Sequence, residues 1–395
     1  MKNILKLDLK YAASQIFYYG AFCAITGYAS VYLLNKNFNN SMIGLVLALC
    51  NVLAVVIQPI LASFVDKYEK IQLRNVISVI SVIMIGSSII LYVFPTNEML
   101  ILIFIVCIFS MITMIMPLMN SLAFVFEKYG IQINYGISRG LGSVAYAVTS
   151  FIIGYAVEGF SPDILPLFYV ALNLFLLIAV QLFVLPKNQN FECVKTEETQ
   201  KEHHTQLSLT KFCVKYKKFI VFLFGFIFVY FAHTIINYFF IQMVTYIGGT
   251  SSDMGNAVFL AAIFELPTML FFTKVSQKVN CGTLIKFSVI MFFVKHILAY
   301  FATNMIMIYL SQAMQMFAYA LFIPASVYYV NQKIAASDQV KGQSMVTMAM
   351  TIAGVFASLI GGVLIDMIGI HYALLVGAVV SFVGMMIVCL TVEKV

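Results

Sequence analysis

Long hydrophobic runs alternate with short polar segments along almost the whole chain. A transmembrane helix needs roughly 20 consecutive apolar residues, and the sequence contains about twelve such runs, which we number spans 1 to 12 in chain order. They cover residues 11–34, 41–65, 72–94, 99–124, 136–158, 164–185, 217–247, 254–275, 284–303, 305–330, 343–367 and 371–391. This pattern predicts an all-α integral membrane protein.

One long polar segment interrupts the pattern near the middle of the chain. Residues 187–218 are rich in Lys, Glu, Gln, His and Thr and present no apolar face. A polar linker between two apolar halves of similar length is typical of a transporter built from two helical bundles. We therefore predict an N-terminal six-helix bundle at 1–186, a cytoplasmic linker at 187–216 and a C-terminal six-helix bundle at 217–395.

Basic residues predict the orientation in the membrane. Apart from Lys36, and from Arg139 and Lys295 inside spans, they lie at one set of span ends, whereas Glu98, Asp163 and Asp253 lie in the opposite loops. By the positive-inside rule both termini and the linker are cytoplasmic, and an even number of spans requires that the termini share a side. We expect a plasma-membrane protein. The net charge of +7 arises from these loops, so we expect the lipid bilayer and no nucleic acid as a partner.

Composition and motifs narrow the class of protein. The chain is 62% hydrophobic and 10% charged, whereas soluble domains have about 25% charged residues. No G-x-x-x-x-G-K-[ST] loop, glycine-flanked nucleophile or Ser-His-Asp pattern appears, so we expect neither ATP hydrolysis nor an enzyme. His203 and His204 lie near Cys193 without the spacing of metal ligands. We expect no cofactor and no metal, and a gradient would drive any transport.

The two halves repeat weakly. Span 5 ends with Gly154 and Glu158, and span 11 ends with Gly362 and Asp366, in each case a glycine with an acid four residues later. Other glycines recur in both spans, where small residues let helices approach closely. Recurrence six spans apart favours parallel repeats, although glycine is common in membrane helices in general.

Ionisable side chains at mid-membrane are costly and are therefore candidates for function. Glu265 in span 8 and Lys295 in span 9 lie at similar depth, so they could pair, either as a structural salt bridge or for transport. His233 and His296 also lie near the middle of their spans. We choose Glu265 first for proton coupling and the two histidines after it. The alternative for each histidine is a hydrogen-bonded core group.

Span 5 carries an arginine and an aromatic residue two helical turns apart. Arg139 and Tyr146 are seven residues apart, on one helix face. A guanidinium and an aromatic ring suit a polyhydroxylated solute, although Arg139 could instead reach lipid headgroups. Amides in the second half could line a cavity or simply join helices. These amides are Asn237, Gln242, Gln312 and Gln315.

The segment LASFVDKYEKIQLR after span 2 resembles the loop signature of the major facilitator superfamily. Asp66 and Lys67 match the aspartate and the base that follows it, whereas Ala62 replaces the first glycine. The resemblance implies the major facilitator fold, with twelve helices in two pseudo-symmetric six-helix bundles and alternating access. It also implies a conformational gating role for Asp66 and Lys67.

The segment YGISRGLGSVAYAV in span 5 resembles the fifth helix of the lactose permease and oligosaccharide:proton symporter group. The resemblance implies that Arg139 and Tyr146 bind a sugar, with Tyr in place of the group's Trp. Glu265 falls on the sugar-binding glutamate of the eighth helix. Lys295 falls on the arginine of the ninth helix.

Three positions depart from that group. Its fourth-helix glutamate, the partner of the arginine, aligns with Ala123. Its tenth-helix histidine and glutamate, which carry the coupled proton, align with Gln315 and Ala318. Galactoside recognition is therefore not inherited, and proton coupling must use other groups.

We predict a monomeric secondary active transporter of a small polar solute. Uptake of a sugar or glycoside with a proton or another coupling cation is favoured, with Arg139, Tyr146, Glu265, Lys295, Asn237 and Gln315 as substrate-binding residues. A proton-coupled exporter of amphipathic or drug-like compounds is the alternative, supported by the many Phe and Met residues. A non-transporting membrane sensor or scaffold is the alternative of another class, and it would tolerate replacement of the mid-membrane charges.

Overall fold

The structure is a computed structural model that describes residues 2–68, 72–126, 131–184 and 208–394. These residues form helices and connecting loops, without a β-strand among them. The helical segments of the N-terminal half are Lys2–Phe22, Cys23–Gly27 (a π-helix), Ala29–Asn35, Asn40–Lys67, Leu73–Val93, Glu98–Met114, Met116–Ser121, Leu122–Phe124 (3₁₀), Tyr135–Gly159, Pro162–Ile164 (3₁₀) and Leu165–Leu182. Those of the C-terminal half are Leu209–Lys215, Lys217–Tyr238, Phe240–Tyr246, Ser251–Ser276, Cys281–Tyr300, Met305–Ala313, Met314–Met316 (3₁₀), Tyr319–Lys333, Ala336–Asp338 (3₁₀) and Gln339–Thr391.

The twelve predicted spans coincide with these helices. In the described chain, ten helices are long and apolar enough to cross a membrane, or eleven when the bent pair Leu7–Gly27 and Ala29–Asn35 counts as one span. The longest helix, Gln339–Thr391, contains both span 11 and span 12, because Gly369 breaks it with φ 79°. This backbone conformation is open to glycine and costly for other residues. The prediction of an all-α protein with twelve spans is confirmed.

Contacts divide the chain into two compact units. Unit 1 comprises Met1–Phe38 and Leu49–Lys201, and unit 2 comprises Asn39–Ala48 and Glu202–Val395. Most of the predicted linker 187–216 lies outside the described residues, but its last part forms the short helix Leu209–Lys215. The exact bundle boundaries therefore stay a prediction.

Within unit 1, span 1 packs against spans 5 and 6, and span 3 packs against spans 4 and 6. Three buried tyrosines of its core, Tyr11, Tyr18 and Tyr28, donate from their hydroxyls to backbone carbonyls of other spans. Tyr18 donates to the Ile112 carbonyl at 3.1 Å, and Tyr28 donates to the Ser150 carbonyl at 2.6 Å. Such bonds satisfy hydroxyl groups where lipid offers no hydrogen-bonding partner.

Unit 2 repeats this packing order. Span 7 packs along the helix of spans 11 and 12, span 9 packs against that helix and span 10, and span 8 packs against span 10. The same order of span packing in the two units agrees with two pseudo-symmetric bundles. The repeat of individual glycines stays a prediction.

The start of span 2 is held by an acid of unit 2. Two backbone amides, of Asn40 and Ser41, donate to the Asp366 carboxylate at 3.1 and 2.7 Å. The side chains of the same two residues donate to it as well, at 2.9 and 2.5 Å. A carboxylate at a helix N-terminus satisfies free N–H groups and favours the helix dipole. Contacts such as these place residues 39–48 in unit 2.

The end of the described chain is fixed by an ion-pair cluster. Glu393, just beyond span 12, pairs with Lys218 at 2.5 Å and with Lys333. Its backbone N–H also donates to the Tyr329 hydroxyl at 3.3 Å. Hydrogen bonding to Lys218 is the largest cause that lowers the pKa of Glu393 to about 2, followed by hydrogen bonding to Lys333. The cluster joins the ends of spans 7, 10 and 12.

Candidate solute and coupling sites

Arg139 lies one turn inside span 5. The helix begins at Tyr135 because the Asn134 side chain caps it, accepting the Ile137 N–H at 3.1 Å. The Arg139 guanidinium carbon lies 4.0 Å from the centre of the Tyr19 ring, and Nη1 donates to the Ser143 hydroxyl at 2.9 Å. Stacking on an aromatic face and a hydroxyl one turn away hold the guanidinium in place.

Tyr19 reaches this position because span 5 has glycine at residue 142. A β-carbon there would lie 2.4 Å from the Tyr19 ring, so only glycine lets the ring pack this closely. The Tyr19 side chain is buried, and in the described part of the chain its hydroxyl finds no acceptor. Span 1 therefore supplies both a platform for Arg139 and a buried O–H donor beside it.

Tyr146 faces the same span. Its ring lies 6.5 Å from that of Phe22, and the Phe22 ring lies 6.3 Å from that of Tyr19. The predicted pair Arg139 and Tyr146 is therefore joined through two aromatic residues of span 1. Next to Phe22 the helix widens into the π-helical turn Cys23–Gly27, a local irregularity that often marks functional sites.

A polar network lies further along the same helix. Gln15 Nε2 donates to the Tyr11 hydroxyl at 2.7 Å and to the Met119 carbonyl at 3.2 Å. Gln15 Oε1 is buried and, among the described residues, unpartnered. Sequence reasoning missed Gln15 and Tyr19. A polar residue of span 1 four positions before a tyrosine was the available signal.

Lys295 lies at the centre of the polar site in unit 2. Its side chain is fully buried, and Nζ donates to Gln315 Oε1 at 2.5 Å and to Gln312 Oε1 at 3.2 Å. The glutamines are three residues apart and so lie on one face of span 10, Gln312 in the helix Met305–Ala313 and Gln315 in the following 3₁₀ turn Met314–Met316. The structure thus brings together the predicted site residues Lys295 and Gln315 with Gln312, one of the candidate amides.

Glu265 lies one helix away, in Ser251–Ser276, and is partly buried. It interacts electrostatically with Lys295 and with Tyr230. The two hydrogen bonds described for the Lys295 ammonium nevertheless go to neutral amide oxygens. Charge compensation at this site therefore combines amide dipoles with one carboxylate.

His233 is enclosed by aromatic rings. Tyr319 stacks on it at 5.7 Å, while Tyr230 and Phe292 lie 5.3 and 5.1 Å away between ring centres. Asn237 Nδ2 donates to His233 Nε2 at 3.0 Å, which leaves the proton of a neutral ring on Nδ1. The Nδ1 atom has no partner within the described residues.

His296 is also buried, and neither ring nitrogen has a partner in the part of the chain that the structure describes. Its ring lies 6.2 Å from that of Phe292. Unit 2 thus gathers one ammonium, one carboxylate and two imidazoles with unused nitrogens. Such a set can take up and release a proton within the membrane.

The predicted gating loop is described only in part. Span 2 ends at Lys67, whose ammonium lies 5.7 Å from the centre of the Tyr68 ring. The Asp66 side chain lies outside the described residues, as do His203, His204 and Cys193. The described residues contain no group of three or more His, Cys, Asp or Glu side chains placed to hold a metal ion.

A family model described as "MFS_1 like family" matches residues 9–376. The chain belongs to this family. It is therefore a major facilitator superfamily transporter and a multi-pass membrane protein, and the predicted resemblance to this superfamily is confirmed. The fold is that of transporters, not of enzymes.

Solved structures show the same fold at low sequence identity. A point mutant of the nucleoside transporter NupG is 14% identical with a TM-score of 0.81, covering 98% of this chain and 100% of that one. A D-xylose-proton symporter is 11% identical with a TM-score of 0.71, covering 99% and 98%. The "Uncharacterized transporter YwbF" of Bacillus subtilis (strain 168) is 24% identical over 389 residues, covering 96% of this chain and 93% of that protein.

Proposed function

We propose that this transporter takes up a sugar or glycoside together with a proton. The observation that carries the proposal is the row Arg139, Tyr19, Phe22 and Tyr146 in unit 1. A guanidinium donates paired hydrogen bonds to a polar solute, and an aromatic ring packs against the apolar face of a sugar. In unit 2 we propose Lys295, Glu265, Asn237 and Gln315 as further substrate-binding residues.

The names of two structural neighbours support this substrate class. One is a nucleoside transporter and the other a D-xylose-proton symporter, and a nucleoside is itself a glycoside of a pentose. Fold similarity alone does not assign a substrate, so the support comes from agreement between these names and the side chains of span 5.

Proton coupling is proposed for unit 2. Glu265 takes up the proton, because a partly buried carboxyl beside a buried ammonium changes the local charge balance when it is neutralised. His233 and His296, with unused ring nitrogens among the described residues, are the next groups in the proposed relay. The protein acts as a monomer in the plasma membrane with both termini in the cytoplasm, and Asp66 and Lys67 contribute to gating.

A thermal-shift screen of the purified full chain tests the solute class. A ligand that binds only the folded protein raises the melting temperature, so sugars, glycosides and nucleosides are compared with aromatic acids and lipophilic cations. We expect a rise with a member of the first group that disappears in Arg139→Ala and in Tyr146→Ala. A rise with lipophilic cations that is unaffected by Arg139→Ala would instead establish an exporter of amphipathic compounds.

A further inference from the structure

The chain uses arginine at only two positions. Among 23 basic residues, Arg74 and Arg139 are the two arginines and the other 21 are lysines. Arg74 lies in the first turn of span 3, where its Nε donates to Gln72 Oε1 at 2.7 Å. A lysine would satisfy the positive-inside rule equally well. An arginine inside span 5 therefore indicates that the planar guanidinium group itself is needed. This group, called the fork below, can donate two parallel hydrogen bonds to one carboxylate.

The contacts of Arg139 leave that fork open. A guanidinium has five N–H donors, of which the Ser143 hydroxyl accepts one and the neighbouring Tyr19 hydroxyl oxygen can accept another. Within residues 2–68, 72–126, 131–184 and 208–394, no acid pairs with this guanidinium. Asp8, at the same end of unit 1, instead accepts the backbone N–H of Asn134 at 2.9 Å. Among the described residues, the partners of this positive charge are therefore an aromatic ring and neutral hydroxyl groups, not a carboxylate.

A second, independent feature points to an acceptor at the same place. The Tyr19 side chain is 5% exposed, and among the described residues its O–H has no acceptor. A buried hydroxyl without an acceptor is costly, and the charged group that this one borders, the Arg139 guanidinium, can only donate. An oxygen-rich anion would accept from both.

We propose that the solute carries a carboxylate, which the Arg139 fork and the Tyr19 hydroxyl bind, so that the substrate class is a sugar acid or an acidic glycoside. This inference rests on the proposed function, because Tyr146 is kept for the sugar ring. Two guanidinium N–H groups donate to the carboxylate oxygens, and the Tyr19 O–H donates to one of them. A neutral hexose would satisfy the hydrogen bonds but leave the charge unbalanced.

Matched pairs of ligands test the charge directly. Dissociation constants are measured on the purified full chain for 4-nitrophenyl β-D-glucuronide against 4-nitrophenyl β-D-glucoside, and for D-galacturonate against its methyl ester and D-galactose. Glucose 6-phosphate is added as a different anion. We expect the carboxylate member of a pair to bind at least about tenfold more tightly, since charge-assisted bidentate bonds are roughly twice as strong as neutral ones.

Variants assign the preference to residues. Arg139→Gln should remove it, and Arg139→Lys, which keeps the charge and loses the fork, should remove most of it. Tyr19→Phe should weaken binding of the acidic ligand of each pair and leave binding of the neutral ligand unchanged. Arg74→Gln is the matched control and should bind like the unmodified chain. Unliganded melting temperatures show that each variant is folded.

The outcomes separate the two proposals. Equal binding of acidic and neutral partners, both dependent on Arg139, would keep sugar uptake and overturn the carboxylate assignment. A preference that survives in Arg139→Gln, or binding of glucose 6-phosphate without binding of any carboxylate, would overturn it as well. If no sugar, acidic or neutral, binds to the unmodified chain, the proposed function fails and the inference fails with it.

Discussion

At the scale of single residues, the two cations Arg139 and Lys295 are hydrogen-bonded to neutral groups. Arg139 donates to a serine hydroxyl and stacks on a tyrosine, and the fully buried Lys295 donates to two glutamines. Lys295 also interacts electrostatically with Glu265, so the charge balance around this ammonium changes when a proton neutralises the carboxylate. The carboxylate that we propose for the solute would change the charge balance around Arg139 in the same way.

The residue scale also shows what the sequence can reveal. Arg139, Lys295 and Glu265 are visible because a charge stands out in an apolar run. Tyr19 is one of 22 tyrosines. It can stack on Arg139 because its ring packs closely against Gly142, and no local sequence pattern predicts that packing. The hydrogen bonds of Gln312 and Gln315 to Lys295 depend on which faces of spans 9 and 10 meet, and the sequence does not give that.

Replacement of Gly142 by alanine should displace the Tyr19 ring on which the Arg139 guanidinium stacks. The new methyl group would lie 2.4 Å from the Tyr19 ring, so the ring must move away from the guanidinium. We expect a loss of about 1–3 kcal/mol in unfolding free energy from overpacking, seen as a lower melting temperature. Affinity for the solute identified by the ligand screen should also fall.

Gly140→Ala is the matched control for this substitution. A β-carbon at Gly140 would meet nothing within 4 Å, and alanine is the better helix former. Its melting temperature should therefore be equal or higher, and its affinity unchanged. If both variants behave alike, close packing at Gly142 does not position Tyr19.

At the scale of helices, hydropathy locates the spans but not the breaks inside them. Span 1 contains a π-helical turn at Cys23–Gly27, and span 10 contains a 3₁₀ turn at Met314–Met316. Hydropathy does not detect either break, because both lie within long runs that are apolar on average. The breaks are decided by tertiary packing and lie next to Phe22 and Gln315, within the candidate sites.

The Asp366 carboxylate should stabilise the start of span 2. It accepts four hydrogen bonds from Asn40 and Ser41, so Asp366→Asn removes the charge and part of the acceptor capacity. Caps of this kind contribute about 1 kcal/mol, and we expect a melting temperature lower by a few degrees.

A double-mutant cycle tests whether the loss comes from this cap. Ser41→Ala removes one donor, and its effect should be smaller in the Asp366→Asn background than alone, because contacting residues are not additive. Additive losses would show that Asp366 acts on stability through another contact.

Glu393 should make stability depend on pH at the acidic end. Its pKa is lowered from 4.5 to about 2 by Lys218 and then Lys333, so its contribution is complete above about pH 4.5. That contribution is lost as the pH falls through about 2, where the folded form takes up the proton. Melting temperatures of the unmodified chain and Glu393→Gln should differ at pH 7 and converge at low pH.

Salt provides the control for this effect. The cluster is exposed, so high ionic strength should reduce the difference between the two proteins at pH 7. A difference that persists at the lowest pH, or that salt leaves unchanged, would mean that Glu393 acts through packing and not through its charge.

At the scale of the whole molecule, the two units share a packing order but carry different chemistry. Unit 1 holds the guanidinium and aromatic row, and unit 2 holds the ammonium, carboxylate and imidazoles. Length, span count and the central polar segment were enough to predict this architecture, because lipid allows few solutions for such a chain. The division of chemistry depends on which helix faces meet, which hydropathy does not encode.

This division predicts that coupling can be removed while transport persists. Glu265→Gln resembles the protonated carboxyl and cannot release a proton, so accumulation of the solute against its gradient should be abolished. Exchange of solute across the membrane does not require release of a proton, and the glutamine amide keeps a hydrogen-bonding side chain at this proposed binding position, so exchange should partly continue. The measurement compares uptake driven by a pH gradient with counterflow at equal pH, using the same reconstituted protein.

The contrast between the two assays decides the assignment. Glu98→Gln, at an exposed acid in the first turn of span 4, should retain both activities. Loss of uptake with retained counterflow in Glu265→Gln would establish Glu265 as a coupling group, since a general folding defect would remove both. Unchanged accumulation in that variant would transfer the role to the buried imidazoles, where His233→Gln and His296→Gln are the next substitutions to separate uptake from counterflow.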